Sequence, residues 1–481
     1  MPANSWPEND SYNELDPLSS ILSDLSDAEE SDDSTQHSAV ETLDAASLQS
    51  CYKNRRRKAA VVLTIVWSGT IALHLVSWGS WFVLGLTTMF GIHALRVVFA
   101  RPQSETEPMS DDTLADCPYV SLLVAAKNEE AVIGNIVRKL CSQDYPMERY
   151  EVWIIDDNST DQTPVLLEKL ARQYEHLKVL RRSAGASGGK SGALNQVLPQ
   201  TRGEILAVFD ADAQVSSDLL QRVLPLFERE EVGAVQVRKA IANANTNFWT
   251  RGQVAEMALD TYIQQQRIAI GGMGELRGNG QFVRRTALER CGGWNEETIT
   301  DDLDLTLLLH LDRWDIECLS CPTVEEEGVT SAIALWHQRN RWAEGGYQRY
   351  LDYWRLIVSN RMGTRKTFDL FIFLLIQYIL PTAQVPDLVM AIARNRPPVL
   401  SPFTGLAMTL SMVGMFIGLK RTRGNEKFRI STFFVLLLQT LRGTIYMFHW
   451  LVVLSSTTAR ISVRPKRLKW VKTMHQGGEK R

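Results

Sequence analysis

The first fifty residues contain no lysine and no arginine, although Asp and Glu are frequent there. A secretory signal peptide opens on a basic stretch ahead of an apolar core, so this absence excludes one. A chain rich in Ser, Asp and Glu buries too little apolar surface to fold, and residues 1–52 read as a disordered acidic tail. Cysteine is scarce as well: six in 481 residues, without framework spacing. Cys318-x-x-Cys321 has neither a second pair nor a nearby histidine set, so the zinc and redox readings give way to two thiols in a cytosolic domain. Charge is missing from one long run. Between Ala59 and Ala100 the main polar interruptions are His74, His93 and Arg96. That run is about twice the ~20 residues needed to cross a bilayer. Gly79 and Ser80, flanked by Trp78 and Trp81, mark a turn at its middle. Two transmembrane helices are expected, near 59–77 and 80–99, within a segment 53–100.

The net charge of −3 hides an asymmetry, because residues 460–481 are dense in Lys and Arg. Such an end suits a membrane surface or a phosphate-bearing ligand; no nucleic-acid partner is expected. The cluster Lys53, Arg55, Arg56, Arg57 and Lys58 belongs in the cytosol by the positive-inside rule, and two crossings return the chain there at Arg101. Residues 101–118 read as a polar linker. Further apolar spans are expected at Phe368–Ala393, Val399–Leu419 and Ile430–Ser456, in a membrane region 366–457 of two or three helices. The stretch Lys420–Arg429 should be cytosolic, and 458–481 form a basic tail. Pro381, Pro386 and Asp387 interrupt one span, and Arg442 and Gly443 another. Charge at mid-membrane is costly, so one segment is expected to lie in the interface or re-enter, and the count stays at four or five.

Between Tyr119 and Tyr353 strands alternate with helices. Strands are expected at Val120–Ala126, Glu151–Ile155, Leu177–Leu180 and Ile205–Phe209. Helices are expected at Glu129–Gln143 and Thr163–Tyr174, and one starts at Lys190–Val197. This pattern predicts an α/β domain, 119–355, with a mostly parallel sheet covered on both faces.

Ligands of such sheets bind beyond the carboxyl ends of the strands. Asp210 and Asp212 follow the strand Ile205–Phe209 and, being alternate residues, face one ligand together. Two close carboxylates repel, which a hard divalent cation carrying substrate phosphates resolves. An Asp-rich turn is the plainer alternative. Asp156-Asp157 closes the second strand, where Asp157 suits a base N–H and an N-cap equally. Ala125–Glu130 closes the first with the same ambiguity. The loop Gly185–Gly192 offers backbone N–H groups and the Lys190 charge to a phosphate, or is a plain linker. Arg277-Gly278-Asn279-Gly280-Gln281-Phe282 permits close backbone approach. Thr300-Asp301-Asp302-Leu303-Asp304 sets carboxylates at a helix start. In Gln338-Arg339-Asn340-Arg341-Trp342, both arginines are expected to neutralise phosphate and Trp342 to offer a flat face; a solvated basic helix face is the alternative.

Taken together, Asp156-Asp157, Asp210-Ala211-Asp212, Thr300-Asp301-Asp302 and Gln338–Trp342 resemble the family-two glycosyltransferases, of which cellulose synthase is the best-known type. Lys190-Ser191-Gly192-Ala193-Leu194-Asn195 is similar too. The resemblance covers about 119–355 and implies a nucleotide-diphospho-sugar transferase (GT-A-like) fold flanked by transmembrane helices. By it, Asp157 would hold uracil and Asp210 and Asp212 would bind UDP with Mg²⁺ or Mn²⁺. Asp302 would deprotonate the acceptor, and Gln338, Arg341 and Trp342 would close over the diphosphate and acceptor, in an inverting displacement. The layout is most like that of cyanobacterial glycolipid-forming members, which implies UDP-glucose as donor and 1,2-diacylglycerol in the bilayer as acceptor. A processive β-glycan synthase is the alternative, but three interrupted spans are few for the wall of a polysaccharide channel. A non-catalytic scaffold would be expected to lack one of Asp210, Asp212 or Asp302, and all three are present.

Overall fold

The computed structural model describes residues 54–102, 107–110, 117–424 and 429–464. The acidic tail, Lys53, most of the linker and most of the basic tail lie outside these residues. Two helices open the described chain, α1 (Arg55–Leu75) and α2 (Gly79–Val98). They part at Gly79, where a side chain would run into the Leu73 carbonyl.

The α/β part follows in the order β1 (Val120–Ala126), α3 (Ile133–Leu140), β2 (Tyr150–Asp156), α4 (Thr163–Ala171), β3 (Leu177–Arg181), α5 (Gly189–Val197), β4 (Ile205–Phe209), α6 (Leu219–Val223), β5 (Val232–Ile241), α7 (Phe248–Ala269), β6 (Gln281–Arg284), α8 (Arg285–Arg290), α9 (Asp301–Leu311), β7 (Asp315–Glu326) and α10 (Ala332–Val358). The seven strands form one sheet, ordered β3-β2-β1-β4-β6-β5-β7. Strand β6 runs antiparallel to β4 and β5, and the other pairings are parallel. The strand side chains alternate between two cores, as a period of two requires. Leu123, Ile155, Leu206 and Val208 pack with α5, α9 and α10. Leu122, Val124, Ile154, Ala207 and Phe209 pack with α3, α4 and α6. Burial on both faces accounts for the nearly unbroken apolar strands.

Helices α3 and α4 both end earlier than the periodicity predicts, and α3 also starts later, because the residues before it are spent on loop contacts. The Asn128 amide donates to Ser159 Oγ at 2.8 Å, the Thr160 amide to Asn128 Oδ1 at 2.7 Å, and the Glu129 amide to Thr163 Oγ1 at 2.9 Å. Those bonds knit the loops after β1 and β2 into one edge of a cleft.

The chain then runs through α11 (Thr364–Leu374), α12 (Leu380–Arg394), α13 (Ser401–Thr422), α14 (Ile430–Met447) and α15 (His449–Val463). A single π-helical stretch, Leu375–Ile379, joins α11 to α12. The carbonyl four residues before Pro381, that of Gln377, lies in this widened turn, whereas Pro386 sits inside α12 itself. Five segments among the described residues are long and apolar enough to cross a membrane: Arg55–Leu75, Gly79–Val98, Thr364–Arg394, Ser401–Thr422 and Ile430–Val463. Ile65, Trp81, Ile92, Ile392, Phe434 and Ile445 are exposed on them, a lipid-facing composition. Asp387, which the sequence marks as an interruption, is fully buried and paired. It accepts from the Val399 and Leu400 amides at 2.9 and 3.2 Å and lies 2.7 Å from His74 Nε2. A charge so satisfied is tolerated inside an apolar segment.

Candidate active site

The parallel register sets Ala126 beside Asp156 and Val124 beside Phe209, so β1, β2 and β4 end along one line. Asp157 leaves that line between two cations. Arg182 Nη1 donates to Asp157 Oδ1 at 2.6 Å, and Lys127 Nζ lies 3.3 Å from Oδ2. Arg182 is buried and also donates to the Ser187 and Gly189 carbonyls at 2.5 and 3.2 Å. Hence the glycine-rich loop is anchored to the strand-end carboxylate. Gly188, at φ 82°, caps α5 with a backbone that other residues rarely adopt.

At the next position along the edge, Lys190 Nζ meets Asp210 Oδ1 at 2.6 Å. The Asp210 side chain remains 42% exposed, so a ligand can still reach it. Burial opposes the charge on both partners. The carboxylates of Asp210, Asp301 and Asp302 nevertheless hold the Lys190 ammonium above its usual range. Lys190, Lys239 and Arg341 likewise outweigh burial and keep the Asp210 carboxyl below its own. The Asp210 amide donates to Asn279 Oδ1 at 3.2 Å, and Asp212 Oδ2 accepts the Glu327 amide at 3.0 Å. The Asp-x-Asp turn is therefore fixed by the segments that precede β6 and follow β7.

The opposite wall is the start of α9. Burial and the neighbouring Asp301 carboxylate push the Asp302 carboxyl up to about 6, against the Leu303 amide and the Lys190 and Lys239 charges. Gly278, at φ 82°, gives it room, since a Cβ there would lie 3.3 Å from Asp302 Oδ2. Asp304 faces inward. Its carboxyl accepts from Tyr353 O–H at 3.0 Å and from the Asn295 amide at 3.1 Å, and burial raises it to about 7 despite them.

Helix α10 covers the cleft. Burial lowers the Arg341 guanidinium, and the carboxylates of Asp210, Asp302 and Asp301 act against that shift. Gln338, Arg341 and Trp342 fall at i, i+3 and i+4, one face of the helix. The expectation for Arg339 is corrected. It is 1% exposed, ion-paired with Glu256 and stacked at 4.0 Å on the Trp342 ring, so it is not available to a phosphate. Residues two apart on a helix stand about 200° apart, which explains the divergence from Arg341.

Lys190, Asp210, Asp302 and Arg341 thus converge, with Asp212 following Asp210, Gln338 and Trp342 on the helix face of Arg341, and Asp157 two strands away. The motifs missed Lys239, whose ammonium lies 3.0 Å from Glu326 Oε2 and 5.4 Å from the Trp342 centroid. They missed Arg182 as well. Each is a single cation at or near a strand end, with position as its only signal.

Residues 121–292 match the family model described as Glycosyl transferase family 2. The chain is 70% identical over 477 residues to a protein of Trichormus variabilis named beta-monoglucosyldiacylglycerol synthase, covering 99% of each. It is 57% identical over 478 residues to a protein of that name from Synechocystis sp., covering 99% of this chain and 97% of the relative. Among solved structures, the mannosyltransferase PcManGT of Pyrobaculum calidifontis, in complex with GDP-Man and Mn²⁺, gives a TM-score of 0.52 at 18% identity. That match covers 82% of this chain and 99% of that one and is a likeness of fold.

Proposed function

Since the chain belongs to the beta-monoglucosyldiacylglycerol synthases of glycosyl transferase family 2, we propose that it transfers glucose from UDP-glucose to the free hydroxyl of 1,2-diacylglycerol with inversion. The product is a β-monoglucosyl lipid and the by-product is UDP. The acceptor oxygen attacks the sugar C1 from the face opposite the nucleotide. The bond from C1 to the diphosphate oxygen breaks, its electron pair leaves with UDP, and the hydroxyl proton passes to the Asp302 carboxylate. A carboxyl held near 6 is largely ionised at neutral pH yet basic enough to accept that proton.

The donor set suits a divalent ion. Asp210 and Asp212 are hard oxygen ligands with one residue between them, and no group of three or more His, Cys, Asp or Glu side chains among the described residues is arranged to hold a metal. Two carboxylates leave positions for diphosphate oxygens, the arrangement Mg²⁺ favours, and Mn²⁺ accepts the same ligands. Such an ion, when bound, offsets charge building on the leaving diphosphate. Lys190 and Arg341 supply fixed positive charge to the same end of the reaction. Asp157 is assigned to the uracil, with Arg182 and Lys127 holding its carboxylate, and Gln338 and Trp342 to the acceptor side. The basic start of α1 supports a catalytic part on the cytosolic side of a multi-pass membrane protein.

The observation that carries this reading is the meeting of Lys190, Asp210, Arg341 and Asp302 at the strand ends. Its test is the product made by purified protein from UDP-glucose and 1,2-diacylglycerol in mixed micelles. One hexose per lipid, in the β configuration, is expected. A high-molecular-weight glucan formed without lipid would overturn it.

A further inference from the structure

Behind the Gln338–Trp342 face stands a carboxylate, 14% exposed, that the proposed chemistry does not use. Glu256 lies on α7. Its Oε2 is the partner of the Arg339 guanidinium and accepts from Tyr446 O–H at 2.9 Å. Its Oε1 accepts the Trp450 indole N–H at 2.7 Å. Tyr446 and Trp450 belong to α14 and α15, on either side of the break at Phe448. Arg339 Nη1 donates to Gln338 Oε1 at 2.8 Å, while the guanidinium lies over the Trp342 ring. Two of the three Gln-x-x-Arg-Trp side chains therefore rest on one buried arginine, which has one carboxylate as its counter-charge.

Two further contacts bind the last helix to α10. Thr457 Oγ1 donates to Asn340 Oδ1 at 3.0 Å, and Arg460 pairs with Glu344 at 2.8 Å. Gly252, one turn before Glu256, has no room for a side chain beside the Tyr446 ring, so α14 lies directly on α7.

Building on the function proposed above, we propose that Glu256 is a positioning residue for the acceptor side of the active site. It fixes Arg339, and through Arg339 it fixes Gln338 and Trp342, against the last two helices. The charge matters because a neutral amide would still accept from the phenol or the indole but would leave the guanidinium buried without a counter-ion. Arg339 would then turn away from Trp342. The hydrogen bonds of Glu256 and Arg339 reach none of Asp157, Lys190, Asp210 or Asp212, so donor binding stands apart from the device.

The test uses the full-length protein in lipid–detergent micelles. For Glu256→Gln, kcat/KM for diacylglycerol per UDP-binding site should fall by roughly 10²-fold, the scale of a small displacement of a positioning group. The Kd for UDP should stay within about threefold, since ground-state donor contacts are kept. A purely structural role gives another result: fewer UDP-binding sites and a lower thermal midpoint, with kcat/KM per remaining site unchanged. That result overturns the proposal, as does an equal loss of UDP affinity and turnover. If Glu256→Gln does not fold, Trp450→Phe removes only the indole N–H. It should lower acceptor kcat/KM by roughly tenfold or more at unchanged UDP affinity, as expected of one lost hydrogen bond to a charged group; no change overturns the idea. A wild-type protein that forms no glucosyl lipid would instead refute the function itself.

Discussion

Asp302 and Asp304 stand two positions apart and meet opposite surroundings. Asp302 opens on the cleft beside two lysines and Arg341, while Asp304 is enclosed by Tyr353 and Asn295. Asp302→Asn should lower kcat by about 10²–10⁴-fold while leaving UDP affinity nearly intact, because a general base acts in the transition state. Single-turnover rates and UDP titration check this. The raised carboxyl of Asp302 also sets a pH limb. It must be ionised to accept a proton, so kcat/KM should climb as pH rises through about 6 and level off above it. A profile that stays flat from pH 5 to 8 would remove Asp302 from the role. Asp212→Ala should abolish turnover and weaken UDP binding in metal-containing buffer, and EDTA should silence the wild type. Full activity in excess EDTA contradicts the metal assignment.

The strands were readable as apolar runs, and β1 and β4 have the bounds the sequence predicts, because burial on both faces leaves little else to encode. The start of α4 at Thr163 was read as it stands and that of α5 to within one residue, but α3 begins late, since Asn128 and Glu129 serve the loop rather than the helix. The Asp-x-Asp turn was legible from its spacing. Lys239 and Arg182 were not, because a lone cation near a strand end has no periodic partner to announce it. Arg339 was misjudged although helical periodicity already separates it from Arg341. Between elements, a second buried network ties α7 to α11. Arg267 meets Asp369 at 2.8 Å and Glu275 at 3.3 Å, and Glu275 also pairs with Arg277 and Arg349. Burial opposes the Glu275 charge, yet the three guanidiniums hold its carboxyl far below the usual range. Arg267→Ala would leave Asp369 facing a smaller share of positive charge. A loss of about 3–5 kcal/mol is expected, as for other broken buried pairs. A thermal midpoint within a degree of the wild type would argue against it.

At the scale of the molecule, the acidic segment 1–50 should be dispensable for catalysis. A chain beginning near Cys51 is expected to insert and to retain turnover per UDP-binding site; normal insertion without turnover would refute this. The α/β part is gripped from both ends of the sequence. Arg55 clasps the Asp352 carboxylate through Nε and Nη2 at 2.7 and 2.5 Å, and Lys58 reaches the Leu351 carbonyl at 3.1 Å. Arg460 holds Glu344 on the same helix. Helix α10 is thus held by both the first apolar helix and the last, which under the proposed function would keep the cleft close to the lipid surface. A catalyst held so works in two dimensions. It samples the acceptors that drift beneath it, and its rate answers to their mole fraction in the surface rather than to their concentration in the volume. Adding inert lipid at constant total diacylglycerol should therefore slow it, as thinning a crowd slows a turnstile that cannot leave its doorway.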